Sequence, residues 1–155
     1  MEISWRGPFQ IQTYLDNAIS RDPVWQDRWP RERDAVYLVS EREWKGQPDG
    51  AAHILYVGGN TGESSRFVTR IGDLLADLFG FYGEETGHHC GGQTLWRWCD
   101  HHRFPPTKLW LGWGTSNCAR CAEKLLYDKF PKATKNVFDE NGLRNKISPP
   151  VCPKH

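Results

Sequence analysis

Four side chains conflict with the apolar or glycine-rich segments around them, and their chemistry therefore needs an explanation. They are Tyr37, Tyr56, Arg66 and Glu123. A buried tyrosine hydroxyl needs a hydrogen-bonding partner, and a carboxylate in an apolar stripe needs a cation, a metal ion or a donor. An arginine at the start of a helix adds to the positive partial charge there and favours an anion. Either these residues satisfy one another inside a core, or they form a site for an anionic group.

The two tyrosines lie in the middle of two predicted strands. The segments AVYLVS (35–40) and HILYVG (53–58) are short apolar runs, and the polar connection between them contains the turn signal QPDG (47–50). We therefore expect an antiparallel hairpin in which Tyr37 and Tyr56 can share one site.

A predicted helix follows the second strand and carries Arg66 in its first turn. From residue 62 to residue 79 the apolar side chains recur at helical spacing and form one stripe, which contains Phe67, Ile71, Leu74 and Leu78. This helix returns the chain towards Tyr56, so Arg66 is expected near that tyrosine. The glycines before the helix do not form a nucleotide-binding P-loop, because that loop requires Gly-Lys-Ser/Thr and the chain has Gly62-Glu63-Ser64.

A second strong helix places Glu123. A third predicted strand, KLWLGWG (108–114), precedes a predicted helix at 118–130, for which Ser116 or Asn117 can act as the N-cap. Glu123 lies in the middle of the apolar stripe of this helix, which is formed by Ala119, Leu126 and Phe130. The carboxylate is expected to bind a metal ion or to pair with an arginine such as Arg66.

The remaining segments complete an α+β prediction. They are a short helix at 9–20, a charged, Pro-interrupted linker up to residue 34, a glycine-rich loop at 81–94 and an irregular basic end at 131–155. We expect a small three-stranded antiparallel sheet flanked by helices, with an N-terminal helical extension.

This ordered set of residues resembles the GIY-YIG nuclease superfamily. Ala35-Val36-Tyr37 and Tyr56-Val57-Gly58 match the two strand triplets that name the family, Arg66 matches the arginine of the next helix, and Glu123 matches the metal-binding glutamate of a later helix. The segment LLYDKFPKATKN is similar to the family's apolar pair, proline and asparagine, which makes Asn136 the matching asparagine. The resemblance implies a catalytic domain at 35–136, between an N-terminal segment (1–34) and a basic C-terminal segment (137–155).

The resemblance also implies a divalent-metal-dependent DNA endonuclease. Water would attack a phosphodiester held between the tyrosines, and a tyrosine, helped by a histidine or the metal, would orient or deprotonate that water. Arg66 would offset charge on the phosphate oxygens, and Glu123 would hold one Mg²⁺ or Mn²⁺.

Two assignments within the resemblance have competitors. The position one turn after Arg66 is often His or Tyr in the family but is Arg70 here, so the loop residues His88 and His89 are the substitutes, of which we take His89. Asn145 competes with Asn136. Arg70 itself could contact DNA, or it could pair with Asp73 or Asp77.

Positive charge is concentrated towards the C-terminal end. Residues 1–93 carry 9 Lys and Arg against 14 Asp and Glu, whereas residues 94–155 carry 11 against 5. Such a distribution fits a surface that meets a polyanion, with solvated lysines as the alternative. The residues expected to contact DNA are Arg70, Lys132, Lys135, Arg144 and Lys146.

The cysteines support a competing interpretation. Five cysteines cannot all pair, and reduced thiols or a metal site are expected rather than disulfides. Cys118-x-x-Cys121 is half of a zinc site, and Cys90, Cys99 or His102 could complete it. The chain would then be a non-catalytic, zinc-stabilised module that binds nucleic acid or protein, although a structural Zn²⁺ is also compatible with nuclease activity.

The chain contains no predicted membrane segment. No stretch approaches the roughly 18 apolar residues of a membrane span, and the 25% of charged residues is typical of a globular protein. We therefore expect a soluble, cytoplasmic protein without a membrane partner. The sequence leaves the oligomeric state open.

Overall fold

The strand that carries Tyr37 lies inside a four-stranded antiparallel sheet. A computed structural model describes residues 1–20, 35–60, 67–81, 90–131, 133 and 152. Its strands are β1 (Ser4–Gln10), β2 (Ala35–Ser40), β3 (Ile54–Asn60) and β4 (Trp110–Thr115). They lie in the order β1-β4-β2-β3, and every pair is antiparallel. Every residue of β2 is buried, which explains why this segment is a short apolar run.

Helices cover both faces of this sheet. The helices are α1 (Ile11–Ser20), α2 (Phe67–Leu78), α3 (Cys90–His102) and α4 (Ala119–Lys129), and short 3-10 turns lie at Gly50–Ala52 and Pro106–Lys108. Alternate side chains of a strand point to opposite faces. Tyr37 and Val39 pack with residues of α1, α2 and α3, whereas Val36 and Leu38 pack with residues of α4. The α+β class is thus confirmed, and of the described helices α1, α2 and α3 lie on one face and α4 lies on the other.

The predicted number of strands is wrong, because β1 adds a fourth strand to the sheet. The segment that precedes α1 pairs with β4 from Ser4 to Gln10, so the N-terminal extension is not purely helical. β1 contains Gly7-Pro8. Proline is tolerated there because β1 is an edge strand and its register with β4 shifts between Arg6 and Phe9.

The predicted glycine-rich loop is wrong over its last residues, which form the start of α3. Residues 90–94 are helical, while residues 82–89 lie outside the described part of the chain. A Cβ on Gly92 would lie 2.5 Å from the backbone oxygen of Leu74 and 2.7 Å from the Cβ of Asp77. Glycine therefore serves here to let α3 pack closely against α2 rather than to form a flexible loop.

The predicted stripe of α2 is confirmed where its side chains are described. Ile71, Leu74 and Leu78 are buried, with no more than 1% of each side chain exposed. The neighbouring residues Arg70 and Asp77 therefore lie at the border of the core. The helix begins at Phe67, which leaves Arg66 outside the described residues.

The predicted N-cap of α4 is wrong. Cys118 is the N-cap, and its sulfur accepts a hydrogen bond from the backbone N–H of Cys121 at 3.4 Å. Ser116 instead accepts from the backbone N–H of Cys118 at 3.3 Å. The start of the helix that carries Glu123 is thus set by a cysteine sulfur.

None of the described helices has the length and apolarity that crossing a membrane requires.

Candidate active site

Tyr37 and Tyr56 meet in the core between the sheet and its helices. Tyr37 lies on β2 and Tyr56 lies on β3, in the register that pairs Tyr37 with Gly58 and Val39 with Tyr56. Their rings stack with centroids 6.0 Å apart and an interplanar angle of 30°. Their side chains also share a hydrogen bond. The hairpin therefore brings the two tyrosines together, as its sequence predicts.

Two glycines make room for the ends of these rings. A Cβ on Gly58 would overlap the Cζ and hydroxyl of Tyr37, and a Cβ on Gly91 would overlap the Cζ and hydroxyl of Tyr56. Gly58 is the register partner of Tyr37, and Gly91 lies in the first turn of α3. The backbone of a third element thus closes over Tyr56.

Arg70 brings a positive charge from α2 to the tyrosine pair. Its charge is close enough to act on the ionisation of Tyr37. The residue is half-buried, and its Nε is buried without a hydrogen-bond partner among the described residues. A guanidinium in this setting can bind an anion that reaches the site.

Glu123 brings a carboxylate from α4, on the other face of the sheet. The residue is buried, with 8% of its surface exposed. Its Oε2 lies 3.1 Å from the position that a Cβ would take on Gly59, so the carboxylate packs against the end of β3. The charge of Glu123 also acts on Tyr37. The predicted burial of a carboxylate in this helix is confirmed.

The environment holds Tyr37 in its protonated form. Burial is the largest cause that raises its pKa well above the ordinary value, and Tyr56 raises it further through its charge and its hydrogen bond. Glu123 also raises the pKa, whereas the positive charge of Arg70 lowers it. The burial and the two acidic neighbours outweigh the arginine. The Tyr37 hydroxyl is thus a hydrogen-bond donor at neutral pH rather than a base.

The structure describes only part of the predicted site. It stacks Tyr37 on Tyr56, and the charges of Glu123 and Arg70 act on the ionisation of Tyr37. The sequence placed Arg70 among the DNA-contacting residues. The other predicted residues lie outside the described part of the chain: Arg66, His88, His89, Lys132, Lys135, Asn136, Arg144, Asn145 and Lys146.

Two features of the site were missed from the sequence. Gly91 was assigned to a loop, and its contact with Tyr56 depends on a helix that packs back onto the hairpin. Arg70 directly precedes Ile71, a residue of the buried stripe of α2. That position next to the stripe was the available signal that Arg70 lies at the border of the core.

A second cluster of reactive side chains lies at the start of α4. The sulfur of Cys118 is 2.9 Å from that of Cys121 and 3.6 Å from that of Cys152. The three sulfurs lie within 4.8 Å of one another, so this cluster could hold a metal ion. Hydrogen bonding to Cys121 lowers the pKa of Cys118, and the same contact raises the pKa of Cys121 to about 12.

The prediction that Cys99 or His102 completes the Cys118–Cys121 pair is wrong, because the third residue of the cluster is Cys152. Cys99 is buried among the residues that pack with α1, α2 and α3, and burial raises its pKa to about 12. The imidazole of His102 stacks on Trp98, with ring centroids 4.4 Å apart. Neither residue belongs to the cysteine cluster, and the side chain of Cys90 is not among those described.

The two clusters differ in the chemistry that they can support. The tyrosine site combines a hydroxyl donor, a guanidinium and a carboxylate, which suits an anion and a hard cation. The cysteine cluster offers only sulfur, which suits a soft or borderline metal ion.

No protein-family model matches the chain, and no curated protein or solved structure is significantly similar to it.

Proposed function

We propose that the chain is a divalent-metal-dependent DNA endonuclease of the GIY-YIG type. One observation carries this proposal: Tyr37 on β2 lies within electrostatic reach of Tyr56 on β3, Arg70 on α2 and Glu123 on α4. Four elements thus supply one hydroxyl pair, one cation and one anion, and the cation and the anion both act on the ionisation of Tyr37. The same residue types appear in the sequence resemblance, with Arg70 as an additional cation.

The reaction in this proposal is hydrolysis of a phosphodiester. The oxygen of a water molecule bonds to phosphorus, one bridging P–O bond breaks, and the leaving oxygen takes a proton. Arg70, whose Nε is buried without a partner among the described residues, donates to the phosphate oxygens and offsets the charge that develops on them. Arg66, carried over from the resemblance, remains a proposed second cation.

Tyr37 acts as a hydrogen-bond donor in this proposal. Because burial and Tyr56 hold the pKa of Tyr37 well above its ordinary value, its hydroxyl orients water or phosphate and does not take the proton. His89, which the resemblance implies as the histidine that assists proton transfer, takes the role of base in place of the tyrosine. Asn136 remains a proposed positioning residue.

Glu123 fits the role of a ligand for a divalent cation. Glu123 is buried, with 8% of the residue exposed, and its Oε2 lies 3.1 Å from the position that a Cβ would take on Gly59. Mg²⁺ is commonly held by one or two carboxylates, with water and substrate phosphate as its other ligands. When bound, Mg²⁺ or Mn²⁺ would polarise the phosphate and stabilise the leaving oxygen.

The proposed DNA contacts lie mainly in the basic segment after α4. Lys132, Lys135, Arg144 and Lys146 keep this proposed role. Arg70 is reassigned to the site itself, because it is half-buried beside the tyrosines. The choice among duplex, single-stranded and branched DNA is left to experiment.

The direct test is cleavage of plasmid DNA by the purified full chain. We expect nicked or linear products with Mg²⁺ or Mn²⁺ and none with EDTA. A single-stranded circular DNA in a parallel reaction tests the alternative substrate. Absence of cleavage on both DNAs with either metal ion would overturn the proposal.

The cysteine cluster favours a second candidate function, a zinc-stabilised nucleic-acid-binding or protein-interaction module without catalysis. Its three thiols could hold a metal ion without any contribution from Glu123. This candidate predicts DNA or protein binding with no metal-dependent cleavage. The plasmid experiment therefore separates the two functions.

A further inference from the structure

The sulfurs of Cys118, Cys121 and Cys152 form one close group beside the start of α4. Cys118 and Cys152 are 3.6 Å apart at their sulfurs, and all three sulfurs lie within 4.8 Å of one another. A tetrahedral zinc ion with Zn–S bonds of about 2.3 Å separates its sulfur ligands by about 3.8 Å. Only small side-chain movements would bring the three sulfurs around one ion. We propose that Cys118, Cys121 and Cys152 bind one Zn²⁺.

The number of sulfurs argues for a metal ion over a disulfide. A disulfide joins only two sulfurs and would leave the third thiol beside it, whereas one metal ion can take all three. Three thiolates bind zinc in preference to Mg²⁺ or Ca²⁺, which favour oxygen. The cluster is therefore distinct from the Glu123 carboxylate in the metal that it would select.

The local structure already holds two of the ligands in place. Cys118 is the N-cap of α4, and its sulfur accepts the backbone N–H of Cys121 at 3.4 Å. The Cys-x-x-Cys spacing thus places both sulfurs at the start of the helix, which is a common arrangement of a zinc-ligand pair. Backbone hydrogen bonds to ligand sulfurs orient them for a metal ion.

The third proposed ligand, Cys152, is distant from Cys118 and Cys121 in the sequence, so spacing alone does not identify it. It is 8% exposed, and it joins the cluster from a position far beyond the end of α4 in the chain. A bound ion would fasten this C-terminal residue to the start of α4.

The role that follows is structural and does not depend on the proposed nuclease function. Zinc sites built from cysteine contribute free energy to folding, because the unfolded chain lacks the preformed site. Here the ion would hold the first turn of α4, two residues before Glu123. Loss of the ion is therefore expected to loosen the helix start in either candidate function.

The test begins with the metal content of the full chain, purified under reducing conditions without added metal. We expect about one zinc per chain in the parent and in Cys99→Ala, a control that removes a buried thiol outside the cluster. In each of Cys118→Ser, Cys121→Ser and Cys152→Ser, the zinc affinity is expected to fall at least tenfold. Zinc affinity at the parental level in Cys152→Ser would overturn the three-thiol site.

A second measurement uses only the parent chain, so its result does not depend on whether the variants fold. Metal-free parent is prepared with a chelator under reducing conditions and titrated with Co²⁺, whose thiolate charge-transfer absorbance grows with the number of bound thiolates. We expect the absorbance of three thiolates, displaced by one equivalent of Zn²⁺. An absorbance that corresponds to two or fewer bound thiolates, or no binding of either ion, would overturn the proposal.

Discussion

The ring of Tyr37 lies directly on the backbone of Gly58, its register partner on the neighbouring strand. A methyl group on Gly58 would occupy the space of the Tyr37 ring end and hydroxyl. The conformation of the tyrosine pair thus depends on the absence of a side chain at one position of β3. This dependence links a sequence motif, Tyr56-Val57-Gly58, to the geometry of the site.

Gly58→Ala is expected to destabilise the fold, because a close-packed core cannot accept the added methyl group without moving Tyr37. Overpacking of this kind costs about 1–3 kcal/mol. Urea unfolding measures the change in the free energy of unfolding. Gly50→Ala is the matched control, since a Cβ there would meet no atom within 4 Å. Equal stability of the two variants would show that the Tyr37–Gly58 contact is not close-packed.

The stability of the protein is expected to fall as the pH rises above about 10, the ordinary pKa of tyrosine. The native state holds the pKa of Tyr37 well above this value by burial, and burial also raises the pKa of Tyr14. Above the unfolded pKa the unfolded chain loses these protons while the native state keeps them, so proton loss favours unfolding. The contribution is fully present below about pH 10.

Tyr37→Phe isolates the part of this pH dependence that belongs to the site. The variant is expected to lose less stability than the parent between about pH 9 and pH 11, although Tyr14 leaves some dependence in place. Urea unfolding across that range measures it, with Tyr127→Phe as a control on α4. An unchanged slope in Tyr37→Phe would contradict the raised pKa.

Arg70→Ala is expected to reduce the rate of DNA cleavage by about a hundredfold or more, because a donor to the phosphate acts mainly in the transition state. Arg70→Lys keeps the charge without the planar fork and should recover only part of the rate. Single-turnover cleavage and DNA affinity are measured for both variants. Arg66→Ala is the comparison. If Arg66→Ala cleaves DNA much more slowly and Arg70→Ala cleaves it at the parental rate, Arg66 rather than Arg70 donates to the phosphate.

DNA binding is expected to weaken steeply with added salt, because each phosphate contact releases a counterion. The residues expected to make these contacts are Lys132, Lys135, Arg144 and Lys146. Replacing all four residues with Gln should lower the affinity for DNA. It should also make the plot of log affinity against log salt concentration less steep. A parental slope in this variant would place the DNA contacts elsewhere.

The sequence predicted the elements whose pattern is local. The β2 run is buried along its whole length, and the stripe of α2 is buried at Ile71, Leu74 and Leu78, because apolar periodicity follows from which face of an element meets the core. The pairing of Tyr37 with Tyr56 followed from the hairpin. Glu123 was recognised because a carboxylate within an apolar stripe is uncommon.

The features that were missed depend on contacts between distant segments. β1 was not predicted, and it depends on pairing with β4, a strand about a hundred residues further along the chain. It can contain Gly7-Pro8 because it lies at the sheet edge. Gly92 looked like a loop residue, although its role is to let α3 approach α2. Cys152 joins Cys118 through the fold alone, so no spacing rule could have selected it over Cys99 or Cys90.

The most direct test of the central claim is the cleavage rate of Glu123→Gln in Mg²⁺. The substitution keeps the volume of the side chain and removes the charge that a divalent cation requires. Asp128→Asn is the matched control, because Asp128 lies on the same helix and pairs at the surface with Lys124 at 2.6 Å. We expect Glu123→Gln to fold and bind DNA but to cut at least about a hundredfold more slowly, with Asp128→Asn at the parental rate. Cleavage by Glu123→Gln at the parental rate would contradict the proposed site.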